Sequence, residues 1–127
     1  MTSRSSDHSV RVAACQLSLR IGEPGHNRAA ARDAISIAAD QGASIIVLPE
    51  LVNSGYVFAS AAEARSLAEP AGGPTISEWQ RLAAQHDLVI GGGFCELGDS
   101  GEVLNSAAIV DGGGTRAVFR KAHLWDA

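Results

Sequence analysis

Hydrophobic positions along this chain change their spacing in a regular order. Val10 to Leu17 reads as a buried strand, with Val10, Val12, Ala14 and Gln16 on one side and Arg11, Ala13, Cys15 and Leu17 on the other. Gly22-Glu23-Pro24-Gly25 breaks it. From Asn27 to Gln41 the period lengthens. Ala31, Ala34, Ile35 and Ala38 fall at i, i+3, i+4 and i+7, one face of a helix, with Asn27 as its predicted cap and Gly42 as its stop. Ala43 to Leu48 is an apolar run that suits a strand buried on both faces. Strand, helix and strand joined by short links predict a right-handed parallel unit.

Pro49 ends that second strand, because it cannot donate to a ladder. Glu50 therefore falls at the carboxyl end of a central strand, the edge where open α/β sheets place ligands. Asn53 to Phe58 reads as a loop and Ala59 to Leu67 as a short helix, followed by a turn over Pro70 to Pro74. Thr75 and Glu78 have capping-box spacing, and Ile76, Trp79, Leu82 and Ala83 share a helical face. Leu88 to Glu96 predicts a third strand, Leu104 to Val110 a fourth and Thr115 to Arg120 a fifth. The last two form a hairpin around Asp111 to Gly114. The class expected is α/β.

Composition narrows the function. With 127 residues, 46% hydrophobic and 19% charged, the chain is one globular domain or a piece of one. A formal net charge of -4 and the lack of a basic stripe argue against nucleic-acid binding. Residues 1–9 are polar and read as a loose tail rather than a secretory signal. No apolar stretch reaches membrane-spanning length, and the expected location is the cytoplasm. Cys15 and Cys95 sit in apolar runs and are read as buried free thiols, since a catalytic thiol needs exposure and a positive neighbour.

Two residues carry the candidate chemistry. Lys121 is the single lysine, whereas nine of the ten basic residues are arginine. Lysine is a compact point charge with a tunable proton, a role that arginine cannot fill. Ending a strand expected to be buried, Lys121 is either a charge that closes the strand or an ammonium placed to stabilise an oxyanion. Glu50 is either a surface carboxylate or a general base whose basicity is raised by apolar flanks. His123 reads as structural, because no aspartate or serine is spaced for a triad. His8, His26 and His86 form no ligand cluster, and no metal site is expected. The triple glycines at 91–93 and 112–114 do not fit nucleotide-binding spacing. The first lets something approach closely and the second makes a turn.

Leu48-Pro49-Glu50-Leu51 with Ser54-Gly55-Tyr56, and Phe119-Arg120-Lys121-Ala122-His123-Leu124, resemble the first two signatures of the nitrilase superfamily of carbon–nitrogen hydrolases. Val12 to Gln16, Gly92 to Glu96 and Asn105 to Ala108 resemble that family's first, third and fourth strands. The resemblance runs from Val10 onward. It implies a four-layer α-β-β-α sandwich, of which this chain supplies one mixed sheet with helices on its outer face. It also implies a Glu-Lys-Cys triad in which Glu50 is the base and Lys121 the oxyanion stabiliser, while Tyr56 and Phe58 lie near the pocket mouth. Neither Cys15 nor Cys95 matches the nucleophile's motif. That cysteine is expected beyond Ala127, with the chain truncated before it and inactive alone.

The substrate implied is a small amide, N-carbamoyl compound or nitrile, with amides and N-carbamoyl compounds preferred to nitriles, no cofactor, and a homo-oligomeric intact parent. The competing expectation is a non-catalytic interaction or assembly module. A small nucleotide-binding domain is disfavoured by the glycine spacing.

Overall fold

The structure, a computed structural model, describes residues 9–124. The tail expected over residues 1–9 lies, apart from Ser9, outside the described residues, as does His8. Five strands form one mixed sheet in the order β1-β2-β3-β4-β5. They are β1 (Val12–Ala14), β2 (Ile45–Val47), β3 (Val89–Leu97), β4 (Val103–Asp111) and β5 (Gly114–Arg120). β1, β2 and β3 run parallel, and β4 and β5 are antiparallel additions. Three helices, α1 (Pro24–Asp40), α2 (Ala61–Leu67) and α3 (Pro74–His86), complete the α/β architecture.

The core lies between the sheet and the helices α1 and α3. Ile46, Ile90, Ala108 and Val110 point into it from consecutive strands and meet Ile35, Ile76 and Trp79. The spacing of Ile76, Trp79, Leu82 and Ala83 does bury one face of α3. Strand β4 alternates strictly from Ser106 to Val110, buried then exposed, because only one sheet face is covered.

That asymmetry corrects two expectations. The run Ala43 to Leu48 is not covered on both faces, since Ile46 is fully buried while Val47 keeps 47% of its surface exposed. Strands β1 and β5 are not buried strands but exposed edges, with Val12 at 56% and Phe119 at 66% exposure. The hairpin contains a bulge, since Ile109 pairs Ala117 but Val110 pairs Thr115, leaving Arg116 as the extra residue.

Two helix caps also differ from expectation. Helix α1 starts at Pro24, where a missing N–H costs nothing, and not after Asn27. Asn27 lies inside the helix, fully buried, and its amide accepts from Arg20 N at 2.8 Å and donates to Arg20 O at 2.8 Å. Helix α3 starts at Pro74 with Gly73 as its cap. Thr75 serves Glu69 instead, donating its N–H at 2.9 Å and its hydroxyl at 3.0 Å. In both cases a tertiary partner claims the polar side chain that local spacing assigns to a cap.

Candidate active site

Glu50 reaches its position because the chain keeps pairing with β3 after β2 ends. Leu48 N donates to Gly91 O, Gly93 N to Pro49 O and Val52 N to Gly93 O, at 2.8 to 2.9 Å. Gly93 permits this approach. A Cβ there would lie 2.6 Å from Glu50 Cα and 2.9 Å from Leu51 N. Leu51 then takes a left-handed conformation, φ 51°, before Val52 N rejoins Gly93 O and the Val52 side chain enters the core. Asn53 holds the turn from beneath, accepting from Cys95 N at 2.8 Å and donating to Cys95 O at 3.0 Å. Asn27 adds a bond to Asn53 O.

Lys121 follows β5, and its N–H donates to Asn105 O at 2.9 Å. Its Nζ lies 3.1 Å from Glu50 Oε1, although the two residues are 71 apart in sequence. The same oxygen accepts from Asn105 Nδ2 at 2.6 Å. Glu50, Lys121 and Asn105 therefore form one cluster on the face that the helices do not cover. The lysine is more open than a half-buried ammonium, with 41% of its side chain exposed.

The electrostatics correct the expected direction for Glu50. The Asn105 hydrogen bond holds its carboxyl below the ordinary value and outweighs partial burial, which acts the other way. Lys121 adds to the lowering, and the Tyr56 hydroxyl contributes more weakly. Glu50 is thus kept ionised, as a group that must accept a proton requires, and its apolar flanks do not raise its basicity.

Two hollows meet at the cluster. A groove of about 460 Å³ runs along the open sheet face between Val47, Gly91, Ile109 and Phe119 and ends at Glu50 and Lys121. A second, of about 340 Å³, lies between Tyr56, Phe58, Leu104 and Lys121. Tyr56 and Phe58 thus flank the lysine, Tyr56 exposed and Phe58 half-buried. His123 is exposed at the chain's described end.

Neither thiol is presented as a nucleophile. Cys95 is buried, within 3.8 Å of Ala64 O, and burial pushes its pKa up, as it does for Cys15. Among the described residues no group of three or more His, Cys, Asp or Glu side chains could hold a metal ion. Within the same residues no helix is long and apolar enough to cross a membrane.

Sequence reasoning missed two contributors. Asn105 carries no local signal, because its importance comes from the register that sets it opposite Cys95 and beside Lys121. Glu96 did carry one, as a carboxylate inside an apolar strand run. It is 2% exposed and accepts from Ser106 Oγ at 2.5 Å and from Arg120 Nη2 and Nε at 2.6 and 3.0 Å. Arg120 is the main cause of its lowered pKa.

Glu50 beyond the end of β2 and Lys121 beyond the end of β5 thus meet at one edge of a mixed α/β sheet, the kind of edge where such folds place ligands. The chain belongs to the carbon-nitrogen hydrolase family, which residues 11–127 match. A nitrilase of Pyrococcus abyssi is 36% identical over 91% of this chain and 44% of its own length. An N-carbamoylputrescine amidase of Solanum tuberosum is 36% identical over 92% of this chain and 39% of its own. The crystal structure of a CN-hydrolase superfamily protein from Xanthomonas campestris superposes with a TM-score of 0.79 at 27% identity, covering 93% of this chain and 42% of that one. The chain thus spans about two fifths of the length of these relatives.

Proposed function

We propose that this chain supplies the base and the oxyanion-stabilising cation of a carbon–nitrogen hydrolase that cleaves small amides or N-carbamoyl compounds. The observation that carries the reading is the 3.1 Å contact between Glu50 Oε1 and Lys121 Nζ at the end of the open-face groove. An ionised carboxylate takes a proton from a thiol, and the thiolate attacks the substrate's carbonyl carbon. The electron pair moves to the carbonyl oxygen, where the ammonium balances the charge. Collapse expels ammonia or an amine, which takes up the proton held by the carboxyl, and leaves a thioester. Water then gives a proton to the freed carboxylate as its oxygen attacks the thioester carbon, and collapse releases the acid while that proton returns to the departing thiolate.

The thiol comes from a segment other than this chain, because Cys15 packs against the core and Cys95, although it lines the second hollow, is enclosed with its thiol pKa raised by burial. Amide and N-carbamoyl substrates are favoured over nitriles because, beside a nitrilase, the relatives include an (R)-stereoselective amidase, an N-carbamoylputrescine amidase and a citrullinase.

Ammonia release tests this. The chain alone should be inactive. A protein that unites it with the thiol-bearing segment should hydrolyse a primary amide or N-carbamoyl compound. Glu50→Gln and Lys121→Ala should each lower kcat by roughly a hundredfold or more. Turnover that survives both substitutions overturns the reading.

A further inference from the structure

We infer that Asn105 is a positioning residue for Glu50, fixing which carboxylate oxygen faces the reaction and keeping it fixed when Lys121 turns to the substrate. The inference rests on the reading of Glu50 as the base. Asn105 grips both members of the pair, with its carbonyl accepting from Lys121 N at 2.9 Å and its Nδ2 donating to Glu50 Oε1 at 2.6 Å. Lys121 Nζ uses the same oxygen. Both of these bonds fall on Oε1, so Oε1 is the oxygen held in place, while the Tyr56 hydroxyl acts more weakly on the same carboxylate.

The chemistry of the amide side chain suits this task. An ammonium that stabilises a growing oxyanion must loosen its hold on the carboxylate. A carboxylate held by the lysine alone would then be free to rotate. Asn105 carries no charge and no titratable proton, so its grip is the same in every step. Its backbone is fixed by antiparallel pairing with Cys95, which Asn53 clamps in turn. Glu50 is thus tied through Asn105 and Cys95 to Asn53 by hydrogen bonds and strand pairing, the kind of support a preorganised base requires.

The first test uses the unaltered full chain. In an NMR pH titration, the Asn105 side-chain amide resonances should shift with the same midpoint as the Glu50 carboxyl. Resonances that ignore that midpoint overturn the inference. Asn105→Ala and Asn105→Asp should both raise the Glu50 midpoint, and an unchanged midpoint in a folded variant overturns it equally. In the active protein, Asn105→Ala should lower kcat by about ten- to a hundredfold with little change in KM, and move the acid limb of the pH–rate profile upward. A fall in activity with an unmoved limb would mark a purely structural role and defeat the inference. Turnover surviving Glu50→Gln defeats the proposed function itself. An inactive Glu50→Gln beside an unmoved Glu50 titration in Asn105→Ala defeats only the role of Asn105.

Discussion

Glu96 and Arg120 meet in a two-point contact, at 2.6 and 3.0 Å, on the helix-covered side of the sheet, one residue before Lys121 turns to the open side. The guanidinium therefore anchors the end of β5 from below while the ammonium works above it. Arg120→Ala leaves a carboxylate with 2% exposure short of its main partner. The loss should destabilise the chain, by less than for a fully dry pair because the arginine is 56% exposed. Urea denaturation with an unchanged m-value should show it, and Lys121 should lose its fixed distance to Glu50.

The glycine run separates space from composition. Gly93→Ala forces a Cβ to 2.6 Å from Glu50 Cα, which is backbone and cannot swing aside. Destabilisation of about 1 to 3 kcal/mol is expected, together with displacement of the Glu50 turn. Gly91→Ala meets nothing closer than Ala108 O at 4.0 Å. Its cost should stay within about 0.5 kcal/mol. Equal midpoints for the two variants would contradict the close approach.

Acid should unfold this chain in a predictable direction. Glu50 and Glu96 both titrate below the ordinary value of 4.5 when folded. Near that value the unfolded chain binds more protons than the folded one, so stability rises with pH there. The contribution is complete above the unfolded value and is lost as pH falls through the lowered folded values. Urea midpoints should therefore drop between about pH 6 and pH 3. Glu96→Gln should flatten that slope more than Glu50→Gln, because Glu96 is buried and Glu50 is about a third exposed.

Thiol labelling should report packing. Cys95 is 1% exposed and its thiol pKa is raised by burial. In the native chain it should react with a disulfide reagent only after opening, while Cys15, half-buried, should react faster but below the rate of a free thiol. Rapid native labelling of Cys95 would contradict its enclosed position.

The open sheet face should make the isolated chain associate. Val47, Ile109 and Phe119 lie along one groove and are 47%, 48% and 66% exposed. Phe119→Thr with Ile109→Thr should lower concentration-dependent association in sedimentation velocity, with little change in the urea midpoint.

Local patterns made much of this fold legible. The alternation in β4 and the apolar stripe of α3 each depend on neighbours a few residues away, so period alone identifies them. What failed had longer reach. Asn27 and Thr75 look like caps in sequence but serve Arg20, Asn53 and Glu69. The run before Pro49 implies two covered faces, yet only one layer of helices packs on it. Glu50 and Lys121 stand out by composition and position, but their shared partner does not. Asn105 becomes visible only when the strands are laid side by side.

The extra residue at Arg116 has a consequence for how this hairpin can vary. Consecutive side chains of β5 point to opposite sides, so the phase of the strand decides whether position 120 or 121 looks toward the groove. The bulge absorbs that residue, because Ile109 pairs Ala117 and Ser106 pairs Arg120 beyond it, so deleting Arg116 would regularise the ladder without exchanging the guanidinium and the ammonium. A slip of one residue in the pairing beyond Ala117 would exchange them. Charge placement therefore constrains the register of these last residues and leaves the length of the hairpin free to vary.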